Sequence, residues 1–144
     1  MLVWRISNHA DLSGYGGVIS AARWNPVKSP IVYCTDHPAS ALLEMLVHID
    51  AEDAPADFQL LRIEIPDGTE IYEPPLPDDW KDDIELTRRI GFDFIASARA
   101  PLMAVPSALV PFARNYLLNP GLAKAASISI AGTTRHPIDP RLVG

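Results

Sequence analysis

Between residues 21 and 48 the chain reads AARWNPVKSPIVYCTDHPASALLEMLVH, and three of its side chains could do chemistry together: Arg23, Tyr33 and Glu44. A guanidinium grips phosphate or carboxylate oxygens with a planar fork of donors, so Arg23 is a candidate anion clamp. A tyrosine on a cleft wall can stack on a flat ring and donate a hydrogen bond, which suits Tyr33. A carboxylate in a cleft can face a developing positive charge, which suits Glu44. Each residue also has an ordinary reading. Arg23 could form a surface ion pair, Tyr33 could be a core aromatic, and Glu44 could belong to the solvated polar stripe Ser40, Glu44, His48 of an amphipathic helix.

Other reactive side chains give weaker signals. Ser107, in AVPSALVP, follows an expected strand at a proline-bounded turn, where a hydroxyl is often displayed. No G-x-S-x-G elbow surrounds it, and a turn role is its simpler reading. Cys34 is a lone cysteine in a strand-like segment, more in keeping with a small buried apolar residue than with a nucleophile. The histidines at 9, 37, 48 and 136 are dispersed, without H-x-x-x-H or C-x-x-C, so no metal site is expected.

The elements that must position these groups follow from local pattern. LVWRI (2–6) predicts a first strand, and Asn, Asp, Ser and Gly over 7–17 predict a loop. IVYC (31–34) predicts a second strand. A helix follows over 38–49, with Thr35 or Asp36 as its cap and Pro38 in its first turn. FQLLRIEI (58–65) predicts a strand ended by PDG, EIYE continues extended, and PPLPDD imposes a loop. Residues 79–97 place Trp80, Ile84, Leu86, Ile90, Phe94 and Ile95 at helical spacing, with Gly91 as a break. PLMAVPSALVP predicts a strand entering a turn, NYLLNP and ASISIAG further strand pieces, and HPIDPRLVG an extended terminal arm. Strands and helices mix without regular βαβ alternation, which points to an α+β fold. GYGG (14–17) is too weak to be a phosphate fingerprint.

Composition narrows the classes. A chain of 144 residues with 48% hydrophobic and 21% charged residues suits one ordered domain, 1–144. A net charge of −6 with scattered basic residues argues against a nucleic-acid footprint. No apolar run approaches the ~20 residues that span a bilayer, and no signal-peptide pattern opens the chain. A single cysteine rules out an intrachain disulfide, so a cytoplasmic setting is expected.

In order, VWRI, ARWN, IVYC, ALLEMLVH, RRIG, VPSALVP, NYLLNP and DPRL resemble the RES-domain toxins, over about residues 3 to 142. Two departures are local: SAA precedes the R-W-N where the family carries glycines, and FDF follows R-I-G where it often has a tryptophan. The resemblance implies an ADP-ribosyltransferase-like split β-sheet with helices around a cleft for NAD. It implies the toxin of a type II toxin–antitoxin pair, with an Xre-like helix-turn-helix antitoxin as partner. It implies cleavage of the nicotinamide–ribose bond, with ADP-ribose passing to a protein acceptor, water or phosphate, and no metal.

Carried onto this chain, the family's arginine, tyrosine, glutamate and serine fall on Arg23, Tyr33, Glu44 and Ser107. Glu44 would then face the ribosyl cation. Arg23, and below it Arg5, would hold the pyrophosphate, Tyr33 the nicotinamide ring, and Ser107 an amide or hydroxyl of the substrate. The rival reading is a catalytically inactive module of the same fold that holds a protein partner. It would be favoured if Glu44 pointed to bulk solvent, away from Arg23 and Tyr33.

Overall fold

The computed structural model describes all of residues 1–144. In chain order the elements are β1 (Leu2–Ile6), α1 (Tyr15–Ile19), β2 (Val32–Thr35), α2 (Pro38–Val47), β3 (Asp57–Glu64), β4 (Ile71–Tyr72), α3 (Ile84–Ser97), β5 (Leu102–Pro106), β6 (Arg114–Leu118), α4 (Pro120–Ala123) and β7 (Ser129–Pro137). The fold is α+β, as the mixed pattern predicts. Seven strands take the order β4-β5-β6-β2-β1-β3-β7, antiparallel except for the β4–β5 pair. No helix is long and apolar enough to cross a membrane.

The sheet is not equally laddered throughout. β2 pairs with β6 over four positions and β1 with β3 over five, but β1 and β2 share the single register pair Trp4↔Thr35. The sheet therefore divides into two well-bonded parts, β4-β5-β6-β2 and β1-β3-β7, joined at one thin seam. Strands that splay in this way open a gap between them, and the candidate site lies there.

Strand alternation sorts the core into two layers, one on each face of the sheet. Val3, Val32, Cys34, Leu61, Ile63, Ala104, Tyr116 and Leu118 build the larger cluster. Met103, Val105 and Leu117 on the opposite face join Trp24, Ile31, Trp80, Phe94 and Ala100, with Tyr33 packed against them. The second cluster positions the site, because it fastens α3 and the R-W-N segment to the β5-β6-β2 part of the sheet.

Several local expectations are corrected. Tyr15–Ile19, expected to begin as loop, forms the short helix α1. Its entry needs Gly14 at φ 69, where a Cβ would lie 2.6 Å from the Ile31 nitrogen. Neither Thr35 nor Asp36 caps α2; His37 does, its Nδ1 accepting from the Ala39 N–H at 3.1 Å. Thr35 instead donates to the His37 carbonyl, and Asp36 accepts from the Arg114 N–H across the strands. The expected arm 136–144 begins inside β7, which runs to Pro137, and then makes a turn at Pro140–Leu142 capped by Asp139.

The helix expected over 79–97 begins as a single tight turn, Trp80–Asp82. It restarts as α3, whose first turn is capped by the Asp83 carboxylate accepting from the Leu86 N–H. Gly91 does not break it. A Cβ at Gly91 would sit 1.5 Å from the Trp24 carbonyl oxygen, so the glycine lets the helix backbone lie directly on the R-W-N segment. The Thr87 hydroxyl donates to the Arg23 carbonyl at 2.6 Å and secures the same contact. Because the clash is with backbone, Gly91→Ala is expected to cost at least about 2 kcal/mol in a denaturant titration, despite the better helix propensity of alanine.

Candidate active site

The gap between the two parts of the sheet is a cleft of about 790 Å³, within the ~300–1,000 Å³ of small-molecule sites. Its walls come from several separate elements. β1 supplies Trp4, Arg5 and Ile6, and the R-W-N segment supplies Ala22, Arg23 and Trp24. β2 supplies Tyr33 and Thr35, α2 supplies Ala41, Glu44 and Met45, and His48 follows at the end of α2. Arg88 of α3 and Asn115 of β6 complete it. Arg5, Arg23, Tyr33 and Glu44 are thus brought to one concavity from separate elements.

Ser107 is not on its wall. The serine is buried, and its hydroxyl oxygen accepts from the N–H groups of Leu109 and Val110 at 3.1 and 3.2 Å. It shapes the turn that brings Ala108 and Leu109 onto the cleft.

Tyr33 joins the parts of the site. Its hydroxyl accepts from the Trp24 N–H at 3.0 Å and donates to Asn25 Oδ1 at 2.5 Å. The Asn25 amide in turn donates to the carbonyls of Gly17, Ser20 and Pro26. The Tyr33 carbonyl accepts from Arg5 Nη1 at 3.1 Å, across the thin seam. The phenolic proton is therefore engaged inside the protein, and the ring is what Tyr33 presents to the cleft. Burial pushes its ionisation well above the usual phenol range, against the opposing pull of the Trp24 N–H and of Arg88, Arg23 and Arg5. A phenol held in this way cannot serve as a base near neutral pH. Cys34, on the other face of β2, is pushed up to about 12 by burial and stays an inert thiol.

The cleft's charge contrasts with that of the chain. Arg5, Arg23 and Arg88 line it, with Glu44 as its one acidic group. None of these four belongs to an ion pair; the salt bridges lie elsewhere, at the N-terminus, Arg114–Glu73, Arg135–Asp57 and Arg141–Asp139. Carbonyl oxygens orient all three arginines, Arg5 through that of Tyr33. Arg23 Nη1 donates to Lys81 at 2.9 Å with its guanidinium 5.7 Å from the Trp80 ring, and Arg88 Nε donates to Ala22 at 2.8 Å. Each keeps further N–H groups for an anion. Glu44 Oε1 accepts from Asn115 Nδ2 at 3.1 Å.

Sequence reasoning missed Arg88 and Asn115 as wall residues. The first was visible only as half of an arginine pair, the second as a polar residue opening an apolar strand. Tyr33→Phe would keep the ring but leave the Trp24 N–H and Asn25 Oδ1 without this partner. A loss of about 2–4 kcal/mol is expected in equilibrium unfolding.

Comparison with known proteins places the chain. The RES domain family model matches residues 2–139. A protein named Toxin Res from Pseudomonas putida is 45% identical over 133 residues, covering 90% of this chain and 92% of its own length. The Prs ADP-ribosylating toxin of Sphingobium sp. is 36% identical over 155 residues, covering 97% and 95%. In structure, the chain resembles one from the M. tuberculosis MbcT–MbcA toxin–antitoxin complex with a TM-score of 0.74. That match spans 99% of this chain and 86% of the other at 19% identity, which speaks to the fold alone. By the length of the family match and by the identity of its relatives, the chain belongs to the RES domain family.

Proposed function

We propose that the protein is a toxin that cleaves the nicotinamide–ribose bond of NAD. One observation carries the reading: a single carboxylate, Glu44, faces a cleft bordered by three arginines, none of them paired with an acid. A dinucleotide has matching needs, with two phosphates for guanidinium forks, a flat nicotinamide ring for an aromatic face, and a ribose that becomes cationic as its bond breaks. In the step proposed, the C1′–N bond breaks and nicotinamide leaves as a neutral molecule with the bonding pair. Positive charge then spreads over the ribose ring, as in glycoside cleavage. Glu44 stabilises that charge, and no proton has to reach the leaving group. Arg23, Arg5 and Arg88 hold the pyrophosphate, and the Tyr33 ring faces the nicotinamide. Ser107 supports the turn beside the site.

The ribosyl cation is intercepted by a nucleophile of a protein acceptor, by water or by phosphate. The name of the Sphingobium relative favours a protein acceptor among these. Such an enzyme depletes or diverts a shared cofactor, so we assign it a cytoplasmic setting and an antitoxin partner of the Xre-like helix-turn-helix kind. That partner would supply the DNA-binding function, for which a net charge of −6 does not suit this chain. The rival reading, an inactive module, would be favoured by a Glu44 that stood apart from Arg23 and Tyr33. All three line one cleft, and nothing else in the structure favours that alternative.

The test is incubation of the purified chain with NAD, following free nicotinamide. Steady release is expected, and its absence with folded protein would end the NAD reading. Glu44→Gln should lower kcat at least about 100-fold, because the donor-facing oxygen survives while the charge opposite the ribose is lost. Its melting temperature should stay close to that of the parent. Arg23→Ala should act mainly through KM, raising it about tenfold, since its guanidinium is assigned to a part of NAD that does not react. With NAD labelled in the adenylate part, a labelled protein band in a lysate would identify transfer, and free ADP-ribose would identify hydrolysis.

A further inference from the structure

Asn115 is the second residue of β6, between Thr35 of β2 and Val105 of β5. It lies on the sheet face that Tyr33, Met103, Val105 and Leu117 share. Such a central strand position ordinarily takes a β-branched or aromatic residue. Here it holds an amide with one hydrogen bond, Nδ2 to Glu44 Oε1 at 3.1 Å, while its Oδ1 is shielded and has no partner within the protein. Leaving an acceptor unpaired costs about as much as a hydrogen bond to a charged group returns, so the amide contributes little to stability. An unsatisfied buried group of this kind calls for another reason to be there.

We propose that Asn115 is the positioning residue of Glu44, fixing the carboxylate in the orientation that faces the ribose. The proposal rests on the NAD reading. Glu44 projects from α2 on a flexible side chain, and fixing one oxygen from the neighbouring sheet leaves Oε2 directed by the protein rather than by water. A preorganised charge stabilises a transition state better than one that must first be oriented. The amide suits this task because it is a neutral donor. A lysine or arginine in its place would also hold the carboxylate, but would cancel the negative charge that the ribosyl cation requires.

Asn115→Leu separates positioning from structure, because it removes the donor and the orphaned acceptor together at similar size. The expected result is a melting temperature equal to or above the parent's, kcat lowered at least tenfold and KM for NAD within about twofold. In the Glu44→Gln background the same change should alter the residual rate less than about twofold, since there is no charge left to place. Asn115→Ala, neutral and without the amide donor, carries the same kcat expectation should the leucine variant not fold. Unchanged kcat in the variant that folds would overturn the proposal. So would a loss appearing in KM, which would mean that Asn115 touches NAD itself, or an equal loss with and without Glu44. A wild-type chain that releases no nicotinamide counts against the NAD reading instead. The melting temperatures of Asn115→Leu, Glu44→Gln and the double variant then still decide the pair: additive shifts refute the contact.

Discussion

The site depends on the two ends of one residue. The Tyr33 hydroxyl ties the irregular R-W-N segment to β2 through Trp24 and Asn25, and its carbonyl ties β1 to β2 through Arg5. Segment 20–30 has little regular structure of its own, only an isolated bridge between Ala22 and Asn25. Tyr33 and the carbonyl bonds of Asn25 tie this segment to β2 and α1, and so help to hold Arg23 at the cleft. α3 closes the arrangement from outside, with Gly91 against the Trp24 carbonyl and Thr87 on the Arg23 carbonyl. An aromatic that sequence alone could assign to either the core or the cleft therefore belongs to both.

Electrostatics adds a second constraint. A chain carrying −6 overall would repel an anionic dinucleotide at long range, yet at the cleft the balance is three arginines to one glutamate. Low-dielectric walls concentrate such a local field, so the near charges outweigh the distant ones, which salt screens within about 8 Å. Glu44 is the only acid on the cleft wall, and acids elsewhere, such as Glu52, Asp53 and Asp67, are exposed to solvent.

Much of this was legible in the residues. β1, β2, α2, β3 and β5 follow from hydrophobic pattern and proline or glycine boundaries, and the ordered short motifs carried the family. Arg5, Arg23, Tyr33 and Glu44 could be named because each is a distinctive residue type in a distinctive local run. What stayed hidden was long-range. The partner that Asn115 finds lies 71 residues away in sequence, and no local rule joins β6 to α2. The Ser107 hydroxyl turned to its own backbone, a choice between turn and ligand that the motif alone leaves open. Gly91 read as a helix breaker because propensity records what glycine loses in a helix, not the neighbour whose approach it permits.

The order of the strands also bears on how the protein is made. Arg5, Arg23, Tyr33 and Glu44 leave the ribosome in the first third of the chain, but β2 hydrogen-bonds to β6, and β6 ends at Leu118. At roughly 5–20 residues per second, several seconds of synthesis separate the last of these side chains from the strand that braces them. Pairing across so long a loop is also slow once both strands exist. The nascent chain thus carries these four side chains of the cleft wall before it can have a cleft. Full-length synthesis acts as a built-in delay, and a truncated product ending before Arg114 would hold Arg5, Arg23, Tyr33 and Glu44 without the strand on which the cleft's geometry rests.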